Sequence, residues 1–147
     1  MKNTRTKDAG YNIITSELTP DSKDFYRFIR DEIIPFVEAS YKTSPFLTIV
    51  GESLTANFIT HFLREKYAIF NAYVCLNPSL SEDINTQIES YKLSNLSNED
   101  NTFYFYIAGN PYANDKKLAK IKKFATYMKS VDIDNFNDVY DKFANSP

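Results

Sequence analysis

The chain has 147 residues, 43% of them apolar and 24% charged, with 17 basic and 19 acidic side chains and a single cysteine. That length suits one domain whose core buries roughly 70% of the unfolded surface. A net charge of −2 gives no electrostatic case for nucleic acid or a membrane surface, no apolar run reaches a bilayer span, and Cys75 alone forms neither an internal disulfide nor a multi-cysteine metal site.

Residues 1–21 read as polar and irregular, and the start from Met1 to Tyr11 has no apolar centre of an export signal. The compartment stays open: cytoplasmic, or periplasmic if an export signal lies outside this chain. Pro20-Asp21-Ser22 marks a helix start. From Asp24 to Ala39 the residues Phe25, Phe28, Ile29, Ile33, Phe36 and Val37 recur at helical spacing and predict one buried stripe. Pro35 predicts a kink or an early end. Phe46 to Val50 is a short apolar run rich in strand formers, closed by Gly51. Leu54 to Lys66 returns to a helical period, with Leu54, Phe58, Ile59, Phe62 and Leu63 on one side.

Phe70 to Leu76 is a second strand, ended by Asn77-Pro78. A weaker helix is expected over 82–96. Phe103 to Ala108 is a third strand, closed by Gly109-Asn110-Pro111. Asp115 to Lys129 is helical, with Leu118, Ile121, Phe124, Ala125 and Met128 inward. The tail from Asp132 is expected to add a short helix. Nearly continuous apolar strands alternating with amphipathic helices predict one α/β domain. The expected form is a three-layer αβα sandwich around a mostly parallel sheet.

The segment with most chemistry is strand, Gly51-Glu52-Ser53, helix. Gly-x-Ser alone is a common helix-capping pattern. A strand before and a helix after point instead to a nucleophile elbow, in which a sharp turn holds a serine in strained backbone geometry beyond the sheet. A small residue two before the serine avoids a clash, and Gly51 meets that need. Two after it, where Gly is usual, stands Thr55. The N–H of Leu54 would be one oxyanion-hole donor.

At this point the chain resembles a known family, the esterase branch of the α/β-hydrolases that includes enterochelin-esterase-like and esterase-D-like enzymes. The resemblance runs over about residues 3–130. It is carried by Asn3-Thr4-Arg5-Thr6-Lys7-Asp8, by Leu18-Thr19-Pro20, and by the helix Phe28 to Glu38 with its embedded Pro35. Tyr41-Lys42-Thr43 ahead of the elbow strand and the turn Asn77-Pro78-Ser79-Leu80 add to it. It implies an α/β-hydrolase fold, ester hydrolysis through an acyl-enzyme on Ser53, and Leu54 as a backbone oxyanion donor. It also implies a small-molecule ester as partner. The chain departs from the family at Glu52, where members often carry His, and at Ser81-Glu82, where they often carry aromatics.

A serine nucleophile needs a base. The one histidine, His61, follows Ser53 by eight residues on the same expected helix, roughly 12 Å along its axis. It cannot serve Ser53 there, and its polar neighbours Asn57, Arg64 and Glu65 predict a solvent-facing residue. In this fold the order is serine, acid, histidine, so both ends of the chain read as incomplete: a fragment, or an inactive binding or scaffold relative. The acid is expected after the third strand, where Asp115 is the first carboxylate. Asn114 or Asp115 capping the next helix is an equal reading. A different doubly wound binding domain, with Gly51-Glu52-Ser53 as a plain turn, is the third alternative.

Lys116, Lys117, Lys120, Lys122 and Lys123 read as the solvated face of an amphipathic helix. Phe103-Tyr104-Phe105-Tyr106 reads as a core strand, and Cys75 as a buried small apolar residue. No residue cluster suggests a metal or cofactor. A truncated sheet would leave an unpaired edge and favour a homo-oligomer.

Overall fold

The structure is a computed structural model and describes residues 4–64, 69–91, 103–131 and 136–142, the last as backbone only. After a single helical turn α1 (Arg5–Asp8), Thr19 caps α2 (Pro20–Phe28) by accepting the Ser22 N–H, with Pro20 at the first helical position. Proline fits there because its missing N–H has no intrahelical partner in any case.

The expected helix over 24–39 does not stop at Pro35. It passes through a π-turn (Ile29–Ile33), in which the Ile34 N–H reaches back to the Ile29 carbonyl, and continues as α3 (Ile34–Ser40). Proline lacks a donor and crowds the carbonyl one turn behind it, and the wider turn makes that room. The π-turn also breaks the predicted stripe. One extra residue in a turn rotates the remainder of the helix by about 100°. Phe25 and Ile29 pack against the core, but Phe28, Ile33, Phe36 and Val37 are exposed, Phe36 by 63%.

Four strands form one sheet in the order β1 (Thr48–Glu52), β2 (Ala72–Leu76), β3 (Phe103–Gly109), β4 (Phe136–Lys142), and every pair is parallel. The predicted α/β class holds. The tail expectation does not: residues 136–142 are a strand, with Phe136 opposite Phe103 and Lys142 opposite Gly109. A ladder on the free side of β3 outweighs the weak local helical signal.

Between the strands run α4 (Leu54–Thr60) with a 3-10 turn (His61–Arg64), α5 (Ile84–Glu89), and α6 (Asp115–Ser130). The expected ends of the first two helices at 65–66 and 92–96 lie outside the described residues. The sheet register puts Ile49, Tyr73 and Phe105 on one face, with Gly51, Cys75 and Ile107. Here α4 and α6 bury their apolar stripes. Tyr26 stacks near Phe62 at 4.1 Å, Phe62 meets Phe70 at 5.3 Å, and Phe105 meets Phe124 at 5.9 Å. Much of the aromatic content is thus core, while Phe36, Tyr41, Phe46 and Tyr112 stay exposed. The other face carries Val50 and Tyr104, which stay 61% and 46% exposed, and β1 is an edge strand.

Polar side chains also fill the contact between α4 and α5. The Gln87 amide donates to Asn57 Oδ1 at 2.7 Å, its carbonyl accepts the Ser81 N–H at 2.8 Å, and Thr60 and Tyr91 share a hydroxyl–hydroxyl bond. All of these side chains are buried. Buried polar groups persist where hydrogen bonds satisfy them; the Asn57 amide nitrogen is buried here without a hydrogen-bond partner among the described residues.

Candidate active site

Where β1 ends the backbone bends sharply. Ser53 has φ 55° and ψ −112°, a conformation that side chains other than glycine rarely adopt. Three backbone bonds hold it there. Its N–H donates to Leu76 O at 2.9 Å, and its carbonyl accepts from Ser79 N at 2.9 Å and Asn57 N at 3.2 Å.

Gly51 is required by close approach. A Cβ there would lie 2.6 Å from the Thr55 carbonyl oxygen and 2.8 Å from the Ala56 nitrogen. Thr55, where glycine is usual in the resembling family, is accommodated by its hydroxyl. Its Oγ1 accepts the Glu52 N–H at 3.0 Å and donates to the Glu52 carbonyl at 2.9 Å. The Arg5 guanidinium donates to the same carbonyl at 3.0 Å.

The turn after β2 leans onto this elbow. Asn77 also has positive φ, 48°, and its N–H donates to Ala108 O. Ser79 comes two residues later, its Oγ 3.1 Å from Ser53 Oγ, and its carbonyl accepts the Tyr11 hydroxyl at 2.8 Å. Beside Ser79 opens a cavity of about 260 Å³, lined in part by Tyr11, Leu80, Glu82, Lys116, Lys117 and Lys120. It sits at the carboxyl ends of β2 and β3.

Two of the cavity lysines are engaged. Lys116 Nζ is 2.6 Å and Lys120 Nζ 3.2 Å from the Glu82 carboxylate. Their hydrogen bonds hold the Glu82 carboxyl below its ordinary value. Lys117 differs: its ammonium makes no hydrogen bond or ion pair among the described residues. Burial lowers its pKa, and the charge of Glu52 opposes that fall only in part. Tyr11 is shifted up, first by burial and then by Glu82, so its hydroxyl keeps its proton.

Leu54 begins α4, so its N–H has no intrahelical partner. Asp115 is exposed at the first position of α6. The cap of that helix is Asn114, whose side chain accepts the Lys117 N–H at 2.9 Å, and Asp115 does not line the cavity.

His61 is not solvent-facing as expected. It is 5% exposed, at the far end of α4 from Ser53, and lines a separate cavity with Tyr26, Arg27 and Arg30. The polar face of α4 is a poor guide here: Asn57, Thr60 and His61 are polar yet covered by other elements. The basic run on α6 is likewise not all solvated, since Lys120 is only 14% exposed at its side chain. Cys75 is buried as expected, and burial pushes its thiol up. Among the described residues no group of three or more His, Cys, Asp or Glu could hold a metal ion, and no helix is long and apolar enough to cross a membrane.

Local sequence pattern brings out Ser53 and Leu54 but misses Ser79, Tyr11 and Lys117 as members of the site. A signal exists for the first, since Asn77-Pro78-Ser79-Leu80 is part of the family resemblance.

No family model matches the chain, and no curated protein matches it. Solved structures do. The BES protein from Bacillus cereus superposes with a TM-score of 0.76 at 17% identity, over 95% of this chain and 56% of that one. An IroE-like serine hydrolase from Shewanella oneidensis gives 0.74 at 17% identity, over 99% and 52%. The siderophore hydrolase EstA from Aspergillus nidulans gives 0.65 at 13% identity, over 98% and 61%. The chain spans about half the length of the first of these structures. Identities this low speak to fold, and with the sheet order and the bend at Ser53 they show that the chain has the α/β-hydrolase fold over the part it shares with them.

Proposed function

We propose that the chain is a serine carboxylic-ester hydrolase that acts on a small-molecule ester through an acyl-enzyme on Ser53. The observation that carries this reading is the backbone of Ser53. A serine with positive φ at the carboxyl end of a parallel strand costs of order 1–3 kcal/mol, and such strain clusters at functional sites. A helix cap does not need it, since Asn114 caps α6 with φ −64°; Ser16 and Asn77 also have positive φ, and what sets Ser53 apart is its place between the end of β1 and the start of α4.

In this reading the Ser53 hydroxyl attacks the ester carbonyl and the Leu54 N–H stabilises the oxyanion that forms. The alcohol leaves with a proton, and water then hydrolyses the Ser53 acyl ester. Asp115, the first carboxylate after β3, is the acid candidate for orienting a base. Two of the structural neighbours, a serine hydrolase and a siderophore hydrolase by name, agree with the reaction class. Those names describe longer proteins, of which this chain covers 52% and 61%.

The second reading is a catalytically inactive α/β-hydrolase-like binding or scaffold domain. The burial of His61 far from Ser53 favours it. A fluorophosphonate probe separates the two. Covalent labelling located at Ser53 by peptide mass spectrometry, and lost in Ser53→Ala, is the expected result. A folded chain that takes no label would leave the binding-domain reading.

A further inference from the structure

We propose that Ser79 is a positioning residue for Ser53: its hydroxyl holds the Ser53 side chain in one rotamer, and the Tyr11 hydroxyl acts on the nucleophile through it. The inference rests on the reading of Ser53 as nucleophile.

A nucleophile reacts from one geometry, with its oxygen aimed at the carbonyl carbon. A serine side chain turns among three staggered rotamers, so a partner has to select one. At the head of a helix that partner is usually an N–H of the helix itself. Ser53 makes no such bond to α4. Among the described residues its hydroxyl bonds instead to the Ser79 hydroxyl, at 3.1 Å. Each hydroxyl can donate or accept, and either direction of the bond places Ser53 Oγ at the same point.

The turn after β2 does not need the Ser79 hydroxyl. The other two ties of Ser79 are made by its backbone: the N–H donates to the Ser53 carbonyl at 2.9 Å, and the carbonyl accepts from Tyr11 at 2.8 Å. Alanine would make both. Among the described residues the side chain has one partner, Ser53 Oγ.

A positioning group is only as firm as its own support. Two residues before Ser79, the Asn77 N–H donates to Ala108 at the end of β3. Two residues after it, the Ser81 hydroxyl donates to the Ile13 carbonyl at 2.7 Å, and the Glu82 N–H donates to the same carbonyl at 2.9 Å. Tyr11 and Ile13 belong to one segment, which therefore holds Ser79 and Ser81 together. That segment also reaches the elbow from its other side, where Arg5 donates to the Glu52 carbonyl at 3.0 Å. Residues 5–13 thus brace the residue before Ser53 and the residue that faces its hydroxyl.

The test has two readouts. The first is the Ser53 rotamer in solution, read from Hα–Hβ couplings in protein carrying isotope-labelled serine. Wild type is expected to give the couplings of a single rotamer, and Ser79→Ala averaged ones. The second is the second-order rate of fluorophosphonate labelling at Ser53. One net hydrogen bond shifts a population by about two- to tenfold, so Ser79→Ala is expected to label more slowly by a factor in that range. Tyr11→Phe should slow labelling by no more than Ser79→Ala does. In the Ser79→Ala background it should add nothing, because the hydroxyl it positions is gone. A general loosening of the turn would instead add to the loss in both backgrounds. Circular dichroism and urea unfolding check each fold, and the wild-type couplings stand even where a variant does not fold.

Averaged Ser53 couplings in the wild type overturn the positioning role whatever the labelling shows. A folded Ser79→Ala that keeps a single Ser53 rotamer, or labels within twofold of wild type, does the same and leaves Ser53 as nucleophile. Tyr11→Phe equally harmful with and without the Ser79 hydroxyl overturns the part given to Tyr11. A folded wild type that holds one rotamer but takes no label overturns the nucleophile, and with it the functional meaning of the bond.

Discussion

Replacing Gly51 by alanine tests whether close packing at the elbow, rather than backbone freedom, makes glycine necessary. No glycine among the described residues has positive φ, so alanine is sterically allowed at position 51 by its own backbone. By itself that change would stabilise the fold by about 0.4–1 kcal/mol, through a less flexible unfolded chain. The contacts reverse the sign. The new Cβ would stand 2.6 Å from Thr55 O, 2.7 Å from Thr55 C and 2.8 Å from Ala56 N, against about 3.5 Å or more for comfortable contact. All three atoms belong to the backbone of the first turn of α4, whose residues Phe58, Ile59 and Phe62 are buried.

That turn cannot yield without moving the packed helix, so overpacking of about 1–3 kcal/mol is expected. Gly109→Ala is the internal control. Its Cβ would meet Leu118 Cδ2 at 2.9 Å, the far end of a side chain that can rotate, and its next contacts lie at 3.8 and 3.9 Å. It should stay within about 0.5 kcal/mol of wild type. Urea unfolding followed by far-ultraviolet circular dichroism gives both differences, and probe labelling at Ser53 should fall in Gly51→Ala alone. Gly51→Ala as stable as wild type, or more so, with undiminished labelling, would refute the close-packing account.

Gln87→Leu keeps the volume of a buried side chain but strands the Ser81 N–H and removes the donor to Asn57 Oδ1. A loss of about 1–3 kcal/mol for each stranded group is expected in urea unfolding. A neutral effect would mean that water fills the gap. Val50→Lys on the open face of the sheet should change stability by under about 0.5 kcal/mol, since Val50 is 61% exposed. Phe62→Ala, fully buried between Tyr26, Phe58 and Phe70, should cost about 3–5 kcal/mol in the same assay. Glu82 carries a pH prediction, because hydrogen bonds from Lys116 and Lys120 lower its folded pKa below the ordinary 4.5. The stability it adds is therefore present above that ordinary value and is lost as pH falls through the lower folded value. Urea midpoints measured downward from pH 6 should fall less steeply in Glu82→Gln, and parallel curves would mean that the cluster contributes nothing.

Local pattern suffices for β1, β2, β3 and α6 because in each the apolar residues repeat with the period of the element itself. It fails where phase or partner is set elsewhere. Counting from Phe25 at 3.6 residues per turn predicts Phe36 inside, yet the π-turn advances the chain by one residue. Only the proline hints at the disturbance. Nothing in residues 136–142 identifies β4 without the free edge of β3 beside it. His61 has polar neighbours, and polarity alone predicts solvation. Asn57 Oδ1 and the Thr60 hydroxyl instead find their partners inside the protein. Lys117 is hidden among five lysines of similar spacing, and it is distinguished by the position of Glu82, a residue 35 places earlier.

The strained serine and its neighbour Ser79 are best understood as one unit, because the same step occurs at two adjacent strand ends. Ser53 and Asn77 both leave their strands with positive φ, 55° and 48°. Each donates its N–H to the end of the next strand, at Leu76 and Ala108 respectively. These bonds continue the slanted ladder of a parallel sheet one residue past its regular end. The Asn110 N–H then donates to Asn77 Oδ1 at 3.4 Å, carrying the tie to the loop after β3. The Ser79 N–H closes the loop by returning to the Ser53 carbonyl. An unfavourable backbone conformation persists when its surroundings over-determine it, and here the peptide groups on both sides of Ser53 are already committed. The bend at Ser53 is therefore set by the sheet as a whole, and the distance between the two serine hydroxyls depends on the turn after β2 as much as on the elbow itself.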